Sequence, residues 1–268
     1  MKFVTDRLPA RSKKPRTVGI TMVMDKGLSA AEAGNFLSAN EAHVDIVKLG
    51  FGTAVVTPHL EEKISVYKKY KVPIYFGGSL LEWFYAHKAL DEYVKIMDEY
   101  EIEYVEVSDG TLDIPHDEKC RIISKMAKTR TVLSEVGSKD AEKIIPPYKW
   151  IQLMKEELAA GSKMVIAEAR EGGNVGIYRG SGEVREGLVE EILTQIPAEK
   201  ILWEAPNKLQ QVFFIKLLGS DVNLGNIPVN EVIPLETLRV GLRGDTMKWF
   251  LEKQNQSVIP KNEGKESA

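Results

Sequence analysis

The 268-residue sequence is poor in cysteine and histidine, with one of the former and four of the latter, and it has no long uninterrupted apolar run. A single thiol, Cys120, cannot close an internal disulfide, which excludes a disulfide-stapled scaffold. No segment approaches the roughly 20 consecutive apolar residues of a membrane helix, so no membrane partner is expected. A charge excess of one sign is also missing: 36 Lys and Arg against 39 Asp and Glu leave a net −3. Nothing global therefore draws the chain to nucleic acid or anionic lipid. His43, His59, His87 and His116 show no HExxH or paired spacing, which disfavours zinc. The first seventeen residues hold six Lys or Arg and no apolar centre, unlike a secretory signal, and a cytoplasmic location is expected. No linker rich in Pro, Gly or Ser divides the chain, so one domain is expected, with a homo-oligomer left open.

What is present is a repeat of pattern. Short segments rich in Val and Ile alternate with longer stretches of helical period, as in successive βα units over a parallel sheet. Eight candidate strands run Thr17 to Asp25, His43 to Gly50, Val72 to Gly78, Ile102 to Gly110, Arg130 to Gly137, Lys163 to Arg170, Lys200 to Asn207 and Asp221 to Ile227. Between them lie stretches such as VVTPHLEEKISVYKKY and LLEWFYAHKALDEYVKIMDEYE, each read as one helix. This count over this length matches a (β/α)₈ TIM barrel, here spanning 17–251. An open doubly wound sheet usually begins with a Gly-rich phosphate turn, and MDKGLS is a poor one. Residues 1–16 read as a solvated basic extension packing under the barrel, and the polar tail 252–268 as frayed or disordered.

Strands covered on both faces carry charge only at a cost, so charged residues at their C-terminal ends are informative. Those ends offer Asp25 and Lys26, Lys48, Glu106 and Ser108, Glu135, Glu168 and Arg170, Glu204 and Asn207, and Asn226, while the N-terminal halves are mostly apolar. One strand-end Glu alone is as easily half of a structural salt bridge. Four, at Glu106, Glu135, Glu168 and Glu204, would repel one another in a desolvated mouth unless cations compensated. Lys48, Lys139 and Arg170 supply part of the charge, and a divalent ion the remainder. Oxygen donors without histidine suit Mg²⁺ or Mn²⁺. FGGS, with Gly77 and Gly78, opens a helix and is a candidate anion site. EGGNVGIYRGSGE reads as a mobile loop over the mouth. Arg239 and Arg243, four apart, suit a phosphate or carboxylate partner, or an internal Arg–Glu cluster.

The blocks GITMVMDKG, DIVKLGFGT, GGSLLEW, VEVSDGTLDI, LSEVGSKD, IAEAREGGNVGIY, LWEAPNKLQQ and LETLRVGLRGDT, in this order from about Thr17 to Trp249, resemble the strand-end blocks of the phosphosulfolactate synthase family. The resemblance implies a (β/α)₈ enzyme that adds sulfite to phosphoenolpyruvate with Mg²⁺. The chain departs from the family where two lysines often follow the SEVG-like block: Ser138 stands first and only Lys139 remains. On this reading Glu106, Glu135 and Glu168, with Asp25 as a further candidate, hold the metal. Lys139, or else Lys48, delivers a proton with a pKa lowered by neighbouring cations. Lys48 and Arg170 hold phosphate and sulfite. Asp25, Lys26, Ser108, Glu204, Asn207, Gly77, Gly78, Asn226 and Arg243 complete the substrate site. Three alternatives stand beside it: a class I aldolase-like barrel forming a Schiff base on Lys48, a catalytically silent stress-associated homologue, and another Mg²⁺-dependent enolate enzyme.

Overall fold

The computed structural model describes residues 7–140 and 144–258. Its eight strands are β1 (Thr21–Asp25), β2 (Ile46–Leu49), β3 (Ile74–Phe76), β4 (Tyr104–Val107), β5 (Thr131–Val136), β6 (Met164–Ala167), β7 (Ile201–Glu204) and β8 (Leu224–Pro228). Every ladder is parallel, in the order β3-β2-β1-β8-β7-β6-β5-β4, and β3 lies beside β4 without a ladder between them. Because β1 pairs with both β2 and β8, the sheet curls into a nearly closed (β/α)₈ barrel and the open doubly wound alternative falls. The strands are buried almost throughout, which explains why they read as continuous apolar runs instead of alternating ones.

The helices are α1 (Ala30–Asn40), α2 (Thr53–Val56), α3 (Leu60–Lys69), α4 (Gly78–Ala86), α5 (Leu90–Glu99), α6 (His116–Met126), α7 (Pro147–Ala160), α8 (Glu186–Leu193), α9 (Lys208–Leu218), α10 (Val232–Arg239) and α11 (Gly244–Val258). Local signals set several ends. Ser29 and Glu32 form a reciprocal capping box on α1, Asn207 and Gln210 do the same on α9, and Gly161 ends α7 at φ +116°. Two stretches read as single helices are each a pair. Thr57, the residue before Pro58, is extended, as the proline ring requires, and separates α2 from α3. Lys88 at φ +57° separates α4 from α5.

The described part of the N-terminal extension, from Arg7 on, packs under the barrel through specific ion pairs. Arg11 reaches Asp221 at 2.7 Å and Glu236 at 3.2 Å, Arg16 reaches Asp45 at 3.1 Å, and Lys14 reaches Glu41 at 3.1 Å. The tail requires a correction: α11 carries helix to Val258, seven residues into the segment expected to be disordered, and the rest of that segment lies outside the described residues. Phe250 anchors the helix in the core, and once nucleated a helix propagates through polar residues without further burial. The Arg239–Arg243 pair is not formed either. Arg239 ends α10, is fully buried, and donates to the carbonyls of Ser220 and Val222 at 2.6 and 2.7 Å, a structural role.

Candidate active site

The C-terminal ends of the strands surround a cavity of about 440 Å³. Period two along each strand turns Lys48, Glu106, Glu135 and Glu204 inward from β2, β4, β5 and β7, and Glu168 follows directly on β6; all five are buried. Glu135, Glu168 and Glu204 each bring a carboxylate oxygen to within 4.8 Å of the other two. Lys48 Nζ lies 2.9 Å from Glu106, 3.5 Å from Glu204 and 3.7 Å from Glu135. Lys139 Nζ lies 2.9 Å from Glu135, 3.6 Å from Glu168 and 3.7 Å from Glu82. Arg170, Asn226, Gly77 and Gly78 complete the part of the lining that the sequence pointed to.

Four buried carboxylates thus face two ammonium groups, a surplus of two negative charges if all ionise; counting Glu82 and Arg170 leaves the surplus unchanged. The protein shows the repulsion in its proton affinities. Burial, then Glu135 and Glu204, push the Glu168 carboxyl well above its ordinary range, and burial and Glu135 bring Glu204 up to about 7 in spite of Lys48. Burial acts on Glu135 in the same sense, but Lys139, a hydrogen bond from Glu168 and Lys48 outweigh it and hold Glu135 well below the carboxylate range. Desolvation works to lower both lysines, yet their carboxylate partners win, and both ammonium groups are held above their usual values. This corrects the expectation of a lowered Lys139 pKa: anions, not cations, surround it.

A divalent cation fits this donor set. Glu135, Glu168 and Glu204 offer oxygen only, Glu168 Oε2 accepts no hydrogen bond among the described residues, and a 2+ ion cancels the surplus charge. The trio differs from the expected one by Glu204 in place of Glu106. Glu106 is committed elsewhere: its Oε1 accepts from Gly78 N at 2.6 Å while Oε2 faces Lys48. The FGGS helix start, expected to take a substrate anion, therefore presents its Gly78 amide to a protein carboxylate. Gly78 tolerates no side chain, since a Cβ would lie 2.6 Å from Ser108 Cβ and 2.7 Å from Glu106 Oε1.

Five expected residues are absent from the lining. Asp25 is fully buried and saturated, accepting from Gly27 N, Leu28 N and Tyr67 Oη at 2.8 Å each and pairing with the buried Lys63 at 2.6 Å. It fixes the turn after β1 and does not reach the cavity lining. Lys26 is exposed, 5.8 Å above the Phe51 ring. Ser108 donates to Glu82. Asn207 caps α9 and donates to Gly172 O at 2.9 Å. Arg243 pairs with Asp245 at 3.5 Å, at the start of α11. Asp25, Ser108 and Asn207 are each satisfied by local partners.

Sequence reasoning missed Glu82. It is buried on α4, accepts from Ser108 Oγ and from the amides of Thr111 and Leu112 at 2.9 and 2.7 Å, and faces Lys139. Its signal was an acid inside the apolar run LLEWFY. Asn174 of the β6–α8 loop was also missed. That loop, expected to be mobile, is tied down by hydrogen bonds from Asn207 and Gln210 to the carbonyls of Gly172, Gly173 and Gly182. Three non-glycine residues of the lining, Phe51, Arg170 and Asn226, hold φ near +55°, a conformation that costs about 1–3 kcal/mol each. Asn226 Oδ1, buried there, accepts no hydrogen bond among the described residues.

Residues 9–245 match the family described as (2R)-phospho-3-sulfolactate synthase (ComA). The chain is 42% identical over 245 residues to the phosphosulfolactate synthase of Methanothermobacter thermautotrophicus, covering 89% of this chain and 95% of that protein. It is 40% identical over 242 residues to that of Bacillus subtilis, covering 89% and 96%. Among solved structures, 3-hexulose-6-phosphate synthase from Salmonella typhimurium superposes with a TM-score of 0.51 at 16% identity, covering 87% of this chain and 99% of that one. The YdjI aldolase from Escherichia coli K12 does so with 0.53 at 13%, covering 89% and 91%. These two likenesses are of fold alone.

Proposed function

Because the chain belongs to the (2R)-phospho-3-sulfolactate synthase family, we propose that it is an enzyme that adds sulfite to C3 of phosphoenolpyruvate, giving (2R)-2-phospho-3-sulfolactate, with Mg²⁺ as its cation. The observation that carries the reading is the buried trio Glu135, Glu168 and Glu204 facing Lys48 and Lys139 in one cavity. Phosphoenolpyruvate brings a carboxylate and a phosphate, sulfite is an anion, and addition drives further charge onto the carboxylate. Mg²⁺ held by Glu135, Glu168 and Glu204 would supply Lewis-acid stabilisation of that charge.

The remaining work falls to side chains. Sulfite sulfur donates its lone pair to C3, the C3–S bond forms, and the displaced π pair moves onto C2 and the carboxylate. Lys139 Nζ gives a proton to C2, which completes the tetrahedral centre and leaves the phosphate ester intact. An ammonium held firmly protonated is in the correct state for a donor, and its partner Glu135 keeps it aimed into the cavity. Lys48, pinned by Glu106, supplies fixed positive charge for an anionic substrate group, and Arg170, on the rim, a second. Asn226 offers a preset amide.

The aldolase-like reading fits less well, because a Schiff base needs a neutral amine and three carboxylates hold Lys48 protonated. Borohydride trapping of a substrate on Lys48 would revive it. A silent homologue has no physical reason to keep so many desolvated charges in one mouth. The direct test is ³¹P spectroscopy of the purified protein with phosphoenolpyruvate and sulfite. A new phosphomonoester resonance that requires both substrates and Mg²⁺ is expected; its absence at every metal concentration would refute the reading.

A further inference from the structure

Helix α6 buries the face made by Lys119, Ile122, Ile123 and Met126, so a lysine stands where helical spacing calls for an apolar side chain. Only 1% of it is exposed, and no step of the chemistry above uses it. The three N–H groups of its ammonium face three acceptors on three different parts of the chain. Nζ donates to Asp109 Oδ1, in the loop after β4, at 2.8 Å and to the carbonyl oxygen of Glu135, on β5, at 2.5 Å. It pairs with Glu157 Oε1, on α7, at 2.7 Å. The β4–β5 ladder stops at the pairing of Val107 with Ser134, one residue short of Glu135, so the ammonium takes over where the sheet ends. Burial works to lower the Lys119 pKa, but Glu157 and Asp109 outweigh it and hold the group above its ordinary value, a fixed cation and not a proton carrier.

Two of these acceptors border the seat of Lys139. Glu135 takes the Lys139 ammonium on its carboxylate at 2.9 Å while giving its carbonyl to Lys119. Asp109 precedes Gly110, whose carbonyl accepts the Lys139 N–H at 3.2 Å. The missing side chain of Gly110 leaves room for the lysine stem, since a Cβ there would lie 3.0 Å from Lys139 Nζ and 3.1 Å from its Cγ. Lys139 therefore lies in a slot between the loop after β4 and the end of β5, and one buried ammonium bridges both walls. We propose that Lys119 is a positioning residue that sets the width of this slot and so the aim of Lys139 into the cavity. Its consequence for turnover rests on the function proposed above; the bridge stands on its own contacts. The aim matters because a displacement of about 1 Å costs on the order of 10²-fold in rate.

Lys119→Met alone would leave the Glu157 carboxylate buried without its cation, so the test combines it with Glu157→Met, an apolar exchange of a buried ion pair that folds commonly tolerate. In steady-state turnover of phosphoenolpyruvate and sulfite, the double substitution should lower kcat about tenfold or more while KM for phosphoenolpyruvate moves less than about twofold. Added to Lys139→Ala, it should lower kcat by less than about twofold, because the side chain being aimed is gone. Asp109→Asn, at a partly exposed carboxylate, weakens one arm of the bridge and should lower kcat severalfold. It carries the test if circular dichroism shows that the double substitution does not fold. Hydrogen exchange of the Lys139 amide, followed by nuclear magnetic resonance, reads the bridge without turnover and should quicken about tenfold in the double variant and less in Asp109→Asn. Unchanged kcat in a folded variant, an equal loss on top of Lys139→Ala, or unaltered amide exchange would overturn the proposal. Quickened exchange in a protein that makes no product would keep the bridge and sink the proposed reaction.

Discussion

Single side chains in this protein divide sharply by what else they touch. Lys139 faces three carboxylates and the cavity at once, and its backbone N–H is tied to Gly110 O at 3.2 Å. Replacing it with Ala should lower turnover on the order of 10² to 10⁴ if it is the proton donor; steady-state kinetics with saturating Mg²⁺ measure this, and an unimpaired variant would remove Lys139 from the chemistry. Glu82 acts through Lys139 and the loop after β4. Glu82→Gln keeps the shape but removes one of the three charges around the ammonium. It should lower kcat by roughly tenfold, the loss that follows when a donor is misaligned, and shift the alkaline limb of the kcat–pH profile to lower pH. A purely structural Glu82 would leave that limb in place. Asp25 shows the opposite case, a strand-end carboxylate whose four partners leave nothing for a ligand.

At the scale of elements, α4 shows how tightly a helix start can be built into a site. Its first amide reaches Glu106, and Glu106 in turn holds Lys48. Gly78→Ala should therefore cost about 1–3 kcal/mol of stability, as overpacked sites do, and should lower activity further by moving Glu106; denaturant titration and a rate assay separate the two effects. The strands and most helices were legible in the sequence because burial on both faces writes continuous apolar runs and periodicity writes helices. The convergence of Glu106, Glu135, Glu168, Glu204, Lys48 and Lys139 was legible for the same reason, since strand ends in a barrel share one rim. Ligand assignment was not. Whether Glu106 or Glu204 joins the trio depends on the Gly78 amide, a contact across 28 residues. That Asp25, Ser108 and Asn207 stay out of the lining was not legible either, because turns and caps that consume a polar group leave no trace in strand position. The break between α2 and α3 was written in Pro58, and the α11 extension was hidden because its polar residues resemble a disordered tail.

For the whole molecule, the two ends of the barrel have opposite roles. The mouth carries unbalanced charge for chemistry, while the bottom is sealed by the matched pairs of Arg11, Lys14 and Arg16. Asp221 illustrates the seal. Burial works to raise its pKa, but Ser12 and Arg11 outweigh that and hold it below the ordinary value. A depressed carboxyl stabilises the fold at neutral pH and loses that contribution as pH falls through its folded pKa. Asp221→Asn should thus lower the melting temperature at pH 7, and the gap to wild type should close below about pH 4; a gap independent of pH would show that the charge is not what holds the N-terminal segment. The central claim belongs to the other end, where we propose that Glu135, Glu168 and Glu204 hold one divalent cation. Titration of Mn²⁺ followed by its paramagnetic resonance signal tests it most directly. One ion should bind per chain, Glu168→Gln and Glu204→Gln should each weaken binding by at least tenfold, on the order of one lost charged ligand, and Asp25→Asn should leave the affinity intact in whatever fraction folds. An ion that fails to bind, or binds equally well to the two glutamine variants, would contradict the account.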